Sequence, residues 1–481
     1  MHRRLKAIAV LSVFCIPIAA VRAQEIRNVP MFTTTPDDGA PASAAPGFFR
    51  RLTKYYHDDW FPPPQPPAAQ AAPAPQKRGL PSPLDSPPLP SSDWGYGGSP
   101  DIGAPDGNSY PLMTAINGAK SRSKIYGWIE PGVNGSTSSH TNAPEVYDQF
   151  PNSIQLDQLL LYVERLPETV QTAHFDWGYH FTAVYGTDYR YFTAKGYFSQ
   201  QLLKFNRQYG ADLPIEYVDL YFPHVAAGMN VRIGRFISVP GIEAQLAPNN
   251  YIFSHSLLYA IDPFTDTGLM ATVKLNDRWL VQLGITDGHD VAPWTPDAKT
   301  SGTACVSYTT TSVNDNVYVC ANGINDGKYA YNNLQQYDAT WYHKFSKTVH
   351  MATETWYMYQ RDVPALGGTI QPETGANPAY CLPGEQRCTA PEYAVVNFLQ
   401  KELSLHDFLS FRSDFLNDKK GQRTGYATRY SENTITWVHW IGSTIQIRPE
   451  LRFERAWDMR AYDNGRRQNQ LTVATDLIFH F

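Results

Sequence analysis

The chain has 481 residues, with 40 lysines and arginines against 45 aspartates and glutamates, a formal net charge of −5. So weak a field argues against nucleic acid or an anionic membrane surface as a partner. Mean hydropathy is −0.39 although 13% of residues are aromatic; this fits membrane-spanning strands, whose alternation halves the hydrophobicity of each segment, rather than apolar helices.

The chain opens on a basic stretch (His2, Arg3, Arg4, Lys6), followed by an apolar run over 7–20 broken only by Ser12. Val21-Arg22-Ala23 then precedes Gln24. A retained membrane helix needs about 20 apolar residues, so this pattern predicts a signal peptide over 1–23, exported by the general secretory route and cleaved after Ala23. Cys15 follows Val13-Phe14 rather than small residues, which disfavours a lipid anchor. Residues 24–105 form a Pro-rich, low-complexity segment. Its stretch over 61–76 is nearly all Pro, Ala and Gln and cannot bury enough apolar surface to offset ordering. The segment is expected to be a disordered periplasmic spacer or an arm that touches peptidoglycan. Near 91–105, Asp93-Trp94-Gly95-Tyr96 adds aromatics and turn formers that could tuck into a lumen as a plug.

Residues 106–481 read as strands. Trp177, Tyr179, Phe181 and Ala183 alternate with Asp176, Gly178, His180 and Thr182; Val231 and Ile233 alternate with Arg232 and Gly234. Ile445, Ile447, Leu451 and Phe453 alternate with Gln446, Arg448, Glu450, Arg452 and Glu454. A strand points successive side chains to opposite faces, so one face here needs water or partners and the other needs lipid. The fold class is all-β: a transmembrane antiparallel β-barrel of about fourteen strands, within a range of 12 to 16. Tight turns such as Asn276-Asp277 and Ser346-Lys347 alternate with long connections at 186–213, 237–266, 288–335 and 361–392. Short periplasmic turns facing long outer loops is the asymmetry of outer-membrane barrels. Pro449 removes a ladder donor inside a strand, which predicts a bulge there.

The last strand ends on Ile478, Phe479, His480 and Phe481 with no polar tail. Such an edge would invite aggregation in water, whereas a closed barrel in lipid has no free edge. The terminal pair Phe479 and Phe481 mark this strand as the one presented to the barrel-assembly machinery. Apart from Cys15, the cysteines fall into two close pairs, Cys305 with Cys320 and Cys381 with Cys388. Three pairings are open; an oxidising compartment and loop-like surroundings favour the local disulfides, as staples of outer loops.

No nucleophile, metal or phosphate-binding motif stands out, so neither an enzyme, a cofactor nor a metal is expected. The informative residues are the inward charges Asp176, His180, Arg232, Arg235, Arg448, Glu450, Arg452, Glu454 and Asp476. They line an aqueous pore and set its field, or they pair off and fill a narrow barrel. The 237–265 connection is either a surface loop or an inward constriction that brings Glu243 near Arg232 or Arg235.

Gly186-Thr187-Asp188-Tyr189-Arg190-Tyr191, Tyr217-Val218-Asp219-Leu220-Tyr221, Val231-Arg232-Ile233-Gly234-Arg235-Phe236 and Arg448-Pro449-Glu450-Leu451-Arg452 resemble the OmpL-like β-barrel porins. The resemblance covers roughly residues 90 to 481. It implies a bacterial outer-membrane porin: a water-filled channel for passive diffusion of small hydrophilic solutes, in contact with outer-membrane lipid, with self-association into a homo-oligomer left open. The alternative is a plugged barrel acting as a surface receptor, adhesin or structural protein. The solute, ion selectivity and pore radius are left open.

Overall fold

The structure is a computed structural model that describes residues 46–62 and 110–481, apart from 119, 170, 206–207, 313, 347, 373–375 and 405. The expected signal peptide and the possible plug at 91–105 lie outside the described residues, as does most of the Pro-rich segment.

Residues 123–480 build one sheet that closes on itself, every neighbouring pair antiparallel. In chain order the first seven strands are β1 (Ser123–Ser136), β2 (Ile154–Arg165), β3 (Asp176–Gly186), β4 (Gly210–Phe222), β5 (Met229–Ile237), β6 (Thr265–Lys274) and β7 (Trp279–His289). Then come β8 (Ser301–Thr309), β9 (Asp315–Ile324), β10 (Gln335–Lys344), β11 (Val349–Pro364), β12 (Arg387–Glu402), β13 (Asp407–Asp418) and β14 (Thr428–Ile441). The wall ends with β15 (Ile445–Ile447), β16 (Glu450–Ala456) and β17 (Asn469–His480). Because β15 and β16 are two halves of one stave, these 17 segments make a barrel of sixteen staves. β17 pairs with β1, and the Gly127 and Phe481 backbones exchange hydrogen bonds of 2.9 and 3.1 Å. A Cβ at Gly127 would stand 1.9 Å from the Leu160 carbonyl and 2.8 Å from the Phe481 ring, so closure at this point requires glycine.

Fourteen strands were expected, and the two additional ones are β8 and β9, inside what reads in sequence as a long connection. Their outward residues are small or few: Gly302, Ala304 and Val306 on one, Val317 and Val319 on the other. Hydroxyls and a cysteine fill the inward positions of β8, so the contrast that marks a strand is weak. This changes the reading of the first disulfide. Cys305 and Cys320 are directly opposed across β8 and β9, inward-facing and bonded, with Cα atoms 4.1 Å apart. They brace the barrel wall rather than a loop. Cys381–Cys388 does lie in a loop-to-strand segment, just before and at the start of β12.

The bulge expected at Pro449 does not form. Register with β14 runs from His439↔Ile447 to Thr436↔Glu450 with no residue inserted. The ladder breaks only for two residues, and the Pro449 carbonyl still accepts from the Trp437 N–H at 3.1 Å. The Pro-rich segment also contains a helix, α1 (Phe48–Trp60). Asp59 accepts from the Ser443 amide at 2.9 Å, and the Tyr56 ring stacks on Phe479 at 5.2 Å. α1 is thereby docked against the last short turn and the closing strand.

Outward side chains are apolar, with Ile233 46%, Leu451 46% and Val473 57% exposed, a surface that only lipid satisfies. At two short turns a Trp-x-His sequence meets an aspartate across the ladder. Trp341 and His343 contact Asp315 at 3.1 and 2.6 Å, and Trp437 and His439 contact Asp407 at 3.1 and 2.8 Å. These amphipathic rings sit where an interfacial girdle belongs.

Candidate functional site: the lumen and its inward loop

The connection between β5 and β6 folds inward, and its residues are buried over 238–247 and 250–259, with Pro248 partly covered. An irregular segment has no ladder partners, so its buried N–H and C=O groups need other ones. The charged wall supplies them. Carboxylates accept its amides: Glu354 from Ile242 at 2.6 Å, Glu450 from Ser254 at 3.0 Å, and Asp414 from Leu257 at 2.8 Å. Guanidinium groups donate to its carbonyls: Arg448 to Ala247, Asn250 and Ile252 at 2.9, 3.2 and 3.3 Å, Arg412 to Ser254, and Arg452 to His255. Gln158 of β2 donates to the Gln245 carbonyl at 2.9 Å from the other side. Tyr251 lodges between Phe398 and His350, both ring centroids at 5.7 Å. The loop is therefore strapped across the lumen from β2 to β11, β13, β16 and Arg448, which lies between β15 and β16.

The expected inward charges fall into two groups. Arg448 with Asp476, then Glu450, Arg452 and Glu454, occupy successive inward rungs against the loop. Arg448 pairs with Asp476 and reaches Glu130 at 3.3 Å; Arg452 pairs with Glu454 at 2.7 Å and approaches Glu145 and Glu432 at 3.9 and 4.0 Å. The others stand apart. Asp176 sits at the rim of the short-turn end between Arg122 and Arg165, at 2.5 and 3.0 Å. His180 contacts Glu164 at 3.2 Å and Thr182 at 2.8 Å. Arg232 forks onto Asp219 with two 3.0 Å bonds, its guanidinium 3.4 Å above the Tyr217 ring. Arg235 pairs with Asp212 at 3.0 Å.

From sequence, an inward loop was expected to set Glu243 near Arg232 or Arg235; its partners are elsewhere. Glu243 accepts from the Ser256 amide at 2.9 Å and faces Arg412 at 3.4 Å. The loop turns back on itself through Ser256, which carries Glu243 across to the β13 wall. Arg412, Glu432, Glu354 and Asp414 are functional residues that the sequence reading missed. Their signal was present: Ser410, Arg412 and Asp414 alternate with Leu409, Phe411 and Phe415 as the charges of β16 alternate with Leu451 and Phe453. Phe479 faces outward under Tyr56, and Phe481 seals the β1 edge. Among the described residues, Cys381, Glu385 and Cys388 come together at metal-ligand distances, but the two sulfurs are consumed in a disulfide and offer no thiolate.

Residues 123–481 match the family described as Putative beta-barrel porin-2, OmpL-like. Among solved structures, the chain is similar to an anion-selective porin from Comamonas acidovorans, with 9% identity over 75% of this chain and 99% of that one, TM-score 0.45. It is also similar to the outer-membrane channel DcaP of Acinetobacter baumannii, with 11% identity over 75% and 97%, TM-score 0.44. A third is OmpT, an outer-membrane protein of Vibrio cholerae in trimer form, with 8% identity over 75% and 99%, TM-score 0.43. No curated protein matches. The family match spans the whole barrel, from β1 to the terminal Phe481: the chain belongs to the OmpL-like β-barrel porins, outer-membrane channels for passive diffusion.

Proposed function

We propose that small hydrophilic solutes and ions cross the outer membrane through this lumen, past the inward loop, with the inward charges of β3, β5 and β15–β17 lining and biasing the path. The observation that carries this reading is the strapped loop. A sixteen-stave barrel encloses more space than wall side chains fill, and the charged wall places the loop where it narrows that space instead of leaving it outside. The fit around Arg412, Arg448 and Arg452 is close, so passage is restricted to small species. Export by the secretory route, insertion through the terminal strand and self-association belong to the same reading. Neither family nor fold calls for a reaction.

Liposome swelling with a series of sugars of rising size tests it. Swelling that is fast for the smallest sugars and absent for the largest is expected. No swelling with any sugar, from liposomes shown to contain folded protein, counts against it. The same strapping favours a second reading, a plugged barrel that serves as receptor or adhesin through its disulfide-bonded outer segment at Cys381–Cys388. That reading gains if folded protein is permeable to nothing.

A further inference from the structure

The lumen's charge is unevenly cancelled. All five buried inward arginines, Arg232, Arg235, Arg412, Arg448 and Arg452, have a carboxylate within salt-bridge distance. The reverse does not hold on the wall made by β10, β11 and β12. Asp338, Glu354 and Glu392 are buried there and, among the described residues, none has a lysine or arginine nitrogen within 4.0 Å. Neither carboxylate oxygen of Glu392 has a hydrogen-bond partner, and Asp338 and Glu354 have only each other and, for Glu354, the Ile242 amide.

Their register gives these three acids an order. Thr340 opposes Glu354, Asp338 opposes Trp356, and Met358 opposes Glu392. Glu354, Asp338 and Glu392 thus occupy three successive inward rungs, each about 7 Å further toward the long loops, since a strand rises about 3.4 Å per residue. A fourth carboxylate, Asp262 of the inward loop, joins them. A Cβ at Gly241 would lie 3.3 Å from Glu354 Oε1 and 3.7 Å from Asp262 Oδ2, so only the absence of a side chain keeps the space between them open. Thr340, 1% exposed, directs a second kind of oxygen donor to the Glu354 rung, and its hydroxyl is also unpartnered. An ionised carboxylate out of water must be hydrated, paired or neutralised. A staircase of carboxylate and hydroxyl oxygens, with hydrogen-bond donors scarce and Arg423 near but outside contact distance, meets that need by attracting mobile cations. Several weak sites in file also allow an ion to leave as readily as it enters.

We propose that the β10–β12 wall is the cation path of this channel and makes it cation-selective, with Asp338, Glu354 and Glu392 as the selectivity-determining residues. The inference rests on the channel reading above and deepens it by naming the sign of the charge that passes.

The test is the reversal potential of the full-length protein in planar bilayers under a potassium chloride gradient. The wild type reverses on the cation side. Asp338→Asn keeps the side chain's size, and its amide can still hydrogen-bond Glu354. It still conducts and lowers the potassium-to-chloride permeability ratio by roughly sevenfold, since one charge about 7 Å away in a wet lumen favours potassium about threefold and disfavours chloride as much. Asp338→Asn with Glu392→Gln lowers the ratio further, while Asp277→Asn in the exposed turn after β6 leaves it unmoved. Steps that are chloride-selective, or a ratio unchanged in the double variant, overturn the cation path and leave the porin reading standing. Folded protein that inserts and never conducts overturns both.

Discussion

Arg448 is the most heavily used contact between wall and loop, and Arg448→Met removes its charge while keeping most of its volume. The side chain gives one Nη1 to three loop carbonyls and shares the rest of its guanidinium with Asp476 and Glu130. Three acceptors on one nitrogen act as one to two charge-assisted bonds, worth about 1.5–3 kcal/mol each. The change also leaves Asp476 and Glu130 buried without their cation, at about 3–5 kcal/mol. The first loss loosens the loop, whereas the second is a charge on the wall that water can repair once the loop moves. A bias of about 3 kcal/mol shifts a two-state loop equilibrium by roughly 150-fold. Single-channel recordings should therefore show larger steps or longer open dwell times, and Asp476→Asn added to Arg448→Met should restore stability without restoring the small steps. Step size and noise indistinguishable from wild type, in a barrel that still migrates anomalously without boiling, would refute the idea that charge-to-backbone contacts hold the loop.

Replacing Cys305 and Cys320 by serine should leave the barrel folded in detergent, because ladder bonds on both sides already hold β8 to β9; loss of the heat-modifiable band would show that this brace is essential. The outer loops should also respond to acid. Burial opposes ionisation of Asp463, but the backbone N–H groups of His140 and Ser139, at 2.7 and 3.1 Å, win and hold its carboxyl below the usual range. A depressed folded value means the contact contributes fully above about pH 4, the ordinary carboxylate range, and is lost as pH falls through the lowered value. Protection of the 139–140 amides, after correction for the intrinsic pH dependence of exchange, should thus be high and flat from neutral pH down to about 4 and fall below it, and Asp463→Asn should abolish that acid step.

What sequence reveals here follows from range. Period-two alternation is local, so β16 with Leu451 and Phe453 outside and Arg452 and Glu454 inside is legible from seven residues. The terminal strand is legible for the same reason. β8 and β9 are not, because Gly302 and Ala304 give lipid little to distinguish. The loop's direction cannot be read locally at all: Arg412 meets Glu243 across 169 residues, and the partners of Arg448 and Arg452 include backbone carbonyls, which carry no residue identity. A charged face therefore announces that it needs partners without saying whether water, a carboxylate or a folded-in loop provides them. Pro449 shows the converse: the ladder keeps its register past the missing donor, with the Pro449 carbonyl and the Arg448 N–H still bonded to the strands on either side.

Single-channel conductance of the purified full chain in a planar bilayer tests the central claim most directly. Discrete, stable, small steps are expected from protein whose fold survives detergent until boiled. Protein equally folded and inserted that yields a silent membrane across the whole voltage range would contradict it.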